Sequence, residues 1–228
     1  MEGLSASPGD SFLDLYMKAE PEADLDFFTD LVLNFLIAGR DTTAQAMSWC
    51  LYLVMQHPEV EAQLLEEVTS ITGASELTYA HLTELTFTED VLREALRLYP
   101  SVPLDPKLAT EDVTLPDGTF APKGTVIFYN SYGMGRSTRI WGPDAGEFRP
   151  QRWGDMVVDP YEYPVFHAGP RECLGRRLAM VEMKMMLASL VKHLKLTLAV
   201  RPEEVLPDTA ATLGMSTGLK CYVEVRAT

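Results

Sequence analysis

Phe166-His-Ala-Gly-Pro-Arg-Glu-Cys-Leu-Gly175 holds one cysteine, Cys173, with Arg171 two residues before it and Gly175 two after it. Phe166 and Gly169 stand seven and four residues ahead of the sulfur, and an apolar, helix-patterned run follows at once. A thiol at a helix start is favoured as a thiolate, because the backbone N–H groups there stabilise the charged form. Gly169 and Gly175 would let the backbone pass close to a flat ligand. Arg171 can reach an anionic group on such a ligand, and Phe166 can lie against the loop and keep water off the sulfur. The alternative for Cys173 is an ordinary buried thiol, which is inert and common.

Around this stretch the periodicity is mostly helical. Residues 174–194 read as a helix with Leu178, Val181, Met185 and Leu190 facing inward. Residues 131–172 have little periodicity and many Gly, Pro and aromatic residues. So long an irregular stretch in a compact domain usually has a functional reason. The spacing predicts further helices near 11–18 and over 23–56, 58–71 and 86–98. In the longest, about 50 Å at helical rise, Leu25, Phe28, Val32, Phe35 and Leu36 recur at three- and four-residue steps. Pro58 suits the first turn of the next helix, whose stripe is Val60, Leu64, Val68 and Ile71 and whose stop is Gly73. Residues 101–130 read as β-rich, interrupted by Pro103 and Pro106, with a hairpin turn at Leu115-Pro-Asp-Gly-Thr119 and a strand from Val126. Short strands at 196–200 and 221–225 close the chain. The fold class is mainly α with small β-sheets (α+β).

Composition excludes several roles. A formal net charge of −14 over 228 residues argues against a nucleic-acid surface. Three cysteines without metal-site spacing imply neither a disulfide framework nor a zinc site. His57, His81, His167 and His193 show no ligand spacing either. No secretory signal pattern and no transmembrane run of about 18 apolar residues is present. The nearest candidate, residues 31–56, is interrupted by Asn34, Arg40, Asp41 and Thr42.

Three other stretches carry chemistry. Glu94-Ala-Leu-Arg97 puts an acid and a base on one helical face. Taken alone, that is a solvated pair contributing tenths of a kcal/mol. Phe148-Arg-Pro-Gln-Arg-Trp153 lies in the irregular segment. Ala38-Gly-Arg-Asp-Thr-Thr43 interrupts the longest helix with a Gly, which costs about 1 kcal/mol relative to Ala, and with Thr residues that can bend a helix. Poor local choices of this kind often mark function. The alternative is a polar helix face with an incidental Gly.

The decapeptide resembles the haem-ligand signature of the cytochrome P450 family, Phe-x-x-Gly-x-Arg-x-Cys-x-Gly, at every defined position. The resemblance implies the C-terminal half of that fold, with residues 1–228 forming a partial domain whose N-terminal half is absent. It implies haem b (iron protoporphyrin IX) with Cys173 as the metal ligand, Arg171 and Lys107 toward the propionates, and Phe166, Gly169 and Gly175 shaping the loop. Gly39 would leave room for O2 on the distal helix, Thr42 would hydrogen-bond the bound oxygen, and Asp41 would help relay protons. Glu94, Arg97 and Arg152 would form a buried triad; Gln151 stands where the family often has Glu. Phe35, Ile37, Val102, Leu104, Leu213 and Met215 fall where the family lines its substrate pocket, though apolar residues are equally expected of plain core. Arg176, Arg177 and Lys184 are either a solvated face or the surface that receives an electron donor.

Leu98-Tyr-Pro-Ser-Val-Pro-Leu-Asp-Pro-Lys107 and Tyr132-Gly-Met-Gly-Arg136 look like the subgroup of fatty-acid and alkane ω-hydroxylases. That implies a monooxygenase for a lipid-like substrate, with electrons from NADPH through cytochrome P450 reductase. A full-length relative would sit on the cytosolic face of the endoplasmic reticulum membrane. The alternative function is a truncated, non-catalytic remnant that at most binds haem weakly.

Overall fold

In the computed structural model, which describes residues 11–226, Ser11 opens the first helix with a reciprocal cap. Its hydroxyl accepts the Asp14 N–H at 3.2 Å, and the Asp14 carboxylate accepts the Ser11 N–H at 2.8 Å. This satisfies two donors that the helix itself cannot. The chain divides into two compact units, one up to Asp41 and one from Thr42. The first holds α1 (Phe12–Ala19) and the start of the long helix α2 (Leu25–Gln56). Asp24 caps α2 by accepting the Phe27 N–H at 2.9 Å. Phe35 meets Phe12 edge-on at 4.3 Å. Of the recurring apolar residues at the start of α2, Leu25 and Leu36 are 79% and 58% exposed, and Phe28, Val32 and Phe35 are half-buried. Every residue that α2 buries lies between Ala46 and Val54. Periodicity identifies an apolar face but not what covers it.

In the second unit, His57-Pro58 separates α2 from α3 (Pro58–Thr72), and Gly73 at φ +54° ends α3 while its N–H bonds the Thr69 carbonyl at 2.8 Å. Then come α4 (Thr86–Leu98), the hairpin strands β1 (Leu104–Leu108) to β4 (Val126–Asn130) enclosing β2 (Val113–Thr114) and β3 (Phe120–Ala121), and three single-turn helices: α5 (Ser131–Met134), α6 (Thr138–Trp141) and α7 (Arg152–Asp155). The helix α8 (Arg176–His193) runs directly into β5 (Leu194–Leu198), followed by β6 (Pro207–Thr209), β7 (Leu213–Met215) and β8 (Cys221–Val225). All four ladders are antiparallel pairs: β1 with β4, β2 with β3, β5 with β8 and β6 with β7. The turn between β2 and β3 is Leu115–Thr119, with Gly118 at φ +88°. Pro106 sits inside β1 opposite Phe128, which a two-stranded ladder with open edges tolerates.

The main core gathers the C-terminal part of α2, Val60 and Leu64 of α3, the apolar face of α4, Phe148, and Met183, Leu187 and Val191 of α8. A second cluster joins Val68, Leu82, Leu85 and Ala188. Two expectations for α8 are corrected. Leu178 is 60% exposed, and the buried face is Met183, Lys184, Leu187, Ala188 and Val191. Lys184 therefore does not belong to a solvated basic patch. It points with the core face and pairs with Glu89 of α4 at 3.0 Å.

Helix ends are also finished by distant residues. Leu85 offers α4 no side-chain cap. Glu67 of α3 supplies one, its carboxylate accepting the N–H groups of Phe87 at 2.6 Å and Thr88 at 2.8 Å, and the Thr88 hydroxyl at 2.6 Å. An anion there also opposes the positive end of the helix. Glu67→Ala is expected to lower stability by about 1–2 kcal/mol, the range of a lost N-cap. Denaturant unfolding reads this, and an unchanged midpoint would show that the cap contributes nothing. Lys192 of α8 does the converse for α3, donating to the Thr72 hydroxyl at 2.8 Å and the Ser75 carbonyl at 2.5 Å.

Candidate active site

The cysteine loop is closed by its own backbone. A single 3-10 turn, Pro164–Phe166, leads to His167 at φ +60°, and a second, Gly169–Arg171, follows Gly169 at φ +73°. The Cys173 N–H donates to the Phe166 carbonyl at 2.8 Å, so the motif's first residue and its cysteine are neighbours across the loop. The Arg176 N–H returns to the Cys173 carbonyl at 3.3 Å, and α8 begins there, with Gly175 as its N-cap residue. The Cys173 thiol is free and half-buried. A Cβ on Gly175 would lie 3.9 Å from its sulfur, so the glycine hydrogens leave that side of the thiol thinly covered. Arg171 is exposed and pairs with no carboxylate among the described residues. Arg176 pairs with Glu172 on the surface, and its guanidinium lies 5.9 Å from the Phe166 ring centroid.

Glu94, Arg97 and Arg152 are brought together in one buried network. Glu94 and Arg97 are wholly inaccessible, and Arg152 is 5% exposed. Glu94 Oε1 accepts from Arg97 Nη2 at 2.8 Å, Arg152 Nε at 2.8 Å and the Arg149 N–H at 2.9 Å. Glu94 Oε2 accepts from Arg97 Nε at 2.9 Å and the Trp153 indole N–H at 3.0 Å. Arg97 spends its other donors on backbone carbonyls of Gly135, Ala145 and Glu147. Arg152 reaches the Asp144 carbonyl at 3.1 Å and its carboxylate at 3.4 Å. Burial alone would lower the Arg152 pKa, but the bonds to Glu94 and Asp144 outweigh it and the net direction is up. The network thus fastens the irregular segment 135–153 to α4. Gly135 is required by close approach: a Cβ there would sit 2.0 Å from the Arg97 carbonyl oxygen.

The remaining site residues are spread over several settings. Lys107 of β1 pairs with Asp105 at 2.7 Å and so presents a compensated charge. Asp105 also faces His167 Nδ1 at 3.4 Å, and that nitrogen lies 2.6 Å from the Tyr129 hydroxyl. Burial first, then the Asp105 charge, pushes the Tyr129 phenol up to about 12. Leu213 is buried in the core and Met215 packs against it, Val102 is half-buried, and Leu104 is 46% exposed. The Thr42 carbonyl accepts the Ser101 hydroxyl at 2.7 Å. In the first unit, Asp41 is exposed beside Arg40 at 3.8 Å, Ile37 is exposed, Phe35 packs on Phe12, and a Cβ on Gly39 would meet nothing within 4 Å.

Sequence reasoning missed four contributors. Trp153 was visible only as an aromatic after Arg152, and its role as a donor to Glu94 needs the fold. Asp105 and Tyr129 are direct cross-strand partners, a pairing that follows only from the β1–β4 register. Ser101 gave no signal beyond its place between two prolines.

A buried acid–arginine network, together with a free, half-buried thiol on a tight loop at the head of a helix, defines a class: a helix-rich fold that offers one cysteine to a ligand. The family model for cytochrome P450 matches residues 4–219. The chain is 41% identical over 217 residues to cytochrome P450 94A2 of Vicia sativa, covering 90% of this chain and 42% of that protein. It is 37% identical to cytochrome P450 94C1 of Arabidopsis thaliana (91% and 43% covered) and 38% identical to cytochrome P450 704C1 of Pinus taeda (88% and 42%). The chain belongs to the cytochrome P450 family. It spans about two fifths of the length of these curated relatives.

The residues present fit the family's haem. Among the described residues no three His, Cys, Asp or Glu side chains stand together that could hold a metal ion. A single thiol suits an iron whose four in-plane ligands come with its macrocycle. Arg171, two residues before Cys173, is exposed and meets no carboxylate among the described residues, so its charge is open to an anionic group of a ligand. No helix among the described residues is long and apolar enough to cross a membrane.

Proposed function

We propose that the protein is a haem-thiolate monooxygenase that hydroxylates the end of a fatty-acid chain. The observation that carries this reading is the Cys173 loop, closed by the Cys173 N–H to Phe166 carbonyl bond at 2.8 Å, with the free thiol half-buried at the head of α8. Bound through that thiolate, haem supplies cleavage of the O–O bond and oxidation of a C–H bond. Cys173 holds the iron, and its N–H bond to Phe166 keeps the sulfur on one side of the loop. Arg171 would face a propionate. Lys107, paired with Asp105, would present a compensated charge rather than a second free cation. Thr42 and Asp41 would hold and relay the protons that the reaction consumes. The electron donor is a reductase charged by NADPH, and a chain of the relatives' length would work at the cytosolic face of the endoplasmic reticulum. The substrate assignment rests on the 98–107 and 132–136 motifs, and the similarity to cytochromes P450 94A2 and 94C1 supports a common chemistry.

The test is turnover by a longer chain that includes a segment matching the relatives' N-terminal part. With a reductase, NADPH and a long-chain fatty acid, the expected product is the terminal or near-terminal alcohol. Activity on a different lipid or an aromatic, with none on any fatty acid, overturns the substrate class. Thr42→Ala in that protein is expected to keep consuming NADPH while hydrogen peroxide replaces most of the hydroxylated product. Hydroxylation driven by added peroxide should survive better, because it bypasses protonation of bound O2. Normal coupling in the mutant would remove Thr42 from proton delivery.

A further inference from the structure

We infer that Ser101 is a positioning residue for Thr42, holding the oxygen-facing turn of α2 in place through one hydrogen bond to the Thr42 backbone. Ser101 lies three residues past the end of α4, after Tyr99 and Pro100, and is 8% exposed. Its hydroxyl donates to the Thr42 carbonyl at 2.7 Å. In an α-helix that carbonyl also serves the amide four residues on, so the hydroxyl is a second donor on one oxygen. The Ser101 carbonyl in turn accepts the Leu213 N–H at 2.9 Å, and the Leu213 carbonyl accepts the Trp49 indole N–H at 2.9 Å. Trp49 is 1% exposed and stacks on Tyr99 at 4.0 Å with the planes 5° apart.

These bonds form a closed circuit: Thr42, Ser101, Leu213, Trp49, and back along α2 to Thr42. The two anchor points on α2 are seven residues apart, which is two turns, and so lie on one helical face. Two anchors on one face fix both the rotation of the helix and its sliding along its axis. The Trp49 anchor is a ring held by burial and stacking. At the Thr42 end the link of this circuit is the Ser101 hydroxyl, so a substitution at Ser101 opens it. A second donor on a helix carbonyl also tilts that carbonyl away from its ladder, a recognised cause of helix bending. Ser101 thereby sets the turn from which the Thr42 side chain projects. Glu94 and Arg97, on the last turns of α4, anchor the helix from which the chain runs through Tyr99 and Pro100 to Ser101.

This inference rests on the reading of Thr42 as a proton-delivery residue, and the experiment separates the two. It uses the haem-loaded protein at its relatives' length, with Ser101→Ala, Ser101→Thr, Ser101→Val and Thr42→Ala. Thr keeps the hydroxyl and Val keeps the shape of Thr without it. The share of electrons recovered as hydrogen peroxide is expected to rise several-fold in the Ala and Val variants and to stay near the parent value in the Thr variant. The reduced, CO-treated spectrum should be the same in all of them. Amide hydrogen exchange gives a readout independent of turnover: residues 43–48 should exchange at least several-fold faster in the Ala and Val variants, with α3 unchanged. Should the Ala variant not fold, the Thr and Val pair decides the matter alone. Equal coupling in Thr and Val, or unchanged exchange at 43–48, overturns the role of Ser101. A Thr42→Ala protein that stays fully coupled overturns instead the reading on which it rests.

Discussion

Replacing Cys173 with Ala is expected to abolish the thiolate-type shift in the spectrum of the reduced, CO-treated protein, while Cys50→Ala and Cys221→Ala leave it in place. The three thiols differ in their physical settings. Cys50 lies wholly inside the main core, and burial pushes its thiol up to about 12, so it stays protonated. A protonated, enclosed thiol is neither nucleophile nor ligand. Cys221 opens β8 opposite Leu198, and its backbone is held in a two-stranded ladder. Cys173 alone combines partial exposure with a backbone that turns away from it on both sides: a bond from its own N–H to Phe166 and a helix that starts at Arg176. The spectral loss should be complete, because the protein offers the iron no second thiol at that loop. Equal loss from Cys221→Ala would remove Cys173 from the ligand role.

Removing Glu94 is expected to be the most damaging single change to the fold. Glu94→Ala leaves the guanidinium groups of Arg97 and Arg152 buried without their shared anion, and it strands the Arg149 N–H and the Trp153 indole N–H. Breaking a buried pair from one side costs about 3–5 kcal/mol, because the remaining charge stays out of water uncompensated. That is a large part of the total stability of a domain, about 5–15 kcal/mol. Arg152→Ala should cost less than Glu94→Ala, since Arg97 would still balance the carboxylate at 2.8 Å. The surface pair of Arg201 and Glu204, 73% and 43% exposed at the side chains, is the control. Arg201→Ala there should cost no more than about 1 kcal/mol. Denaturant unfolding of the three variants ranks them. A Glu94→Ala protein within about 1 kcal/mol of the parent would show that the network contributes little to stability. The network pins segment 135–153, which precedes the cysteine loop, so Glu94→Ala should also reduce the haem retained by the folded fraction.

The sequence by itself determined the elements whose causes are local. α3 begins at Pro58 and ends at Gly73, and α4 ends just before Tyr99-Pro100, because proline and glycine act on their own backbone and their immediate neighbours. The β2–β3 turn follows from Asp117-Gly118 in the same way. The cysteine loop was legible for a related reason: residue type and spacing over ten positions carry its chemistry. The β6–β7 hairpin and the start of β5 at Leu194 were not read, since β6 and β7 are three residues each and β5 continues α8 without a break.

Tertiary structure alone decided which faces are buried and which groups meet. Nothing in the pattern of α8 sets Lys184 inward and Leu178 outward; the position of Glu89 on α4 does. Nothing near Leu85 announces that Glu67 caps α4, or that Lys192 caps α3. The Glu94–Arg97 spacing alone describes a solvated pair of little consequence. Its burial against Arg152, Trp153 and three backbone carbonyls turns it into a fully satisfied buried network. The bond from Ser101 to Thr42 spans 59 residues and has no local trace. Backbone preferences act within about one helical turn or one hairpin, whereas burial, ion pairing and side-chain bonds to distant carbonyls depend on which surfaces the packing brings into contact.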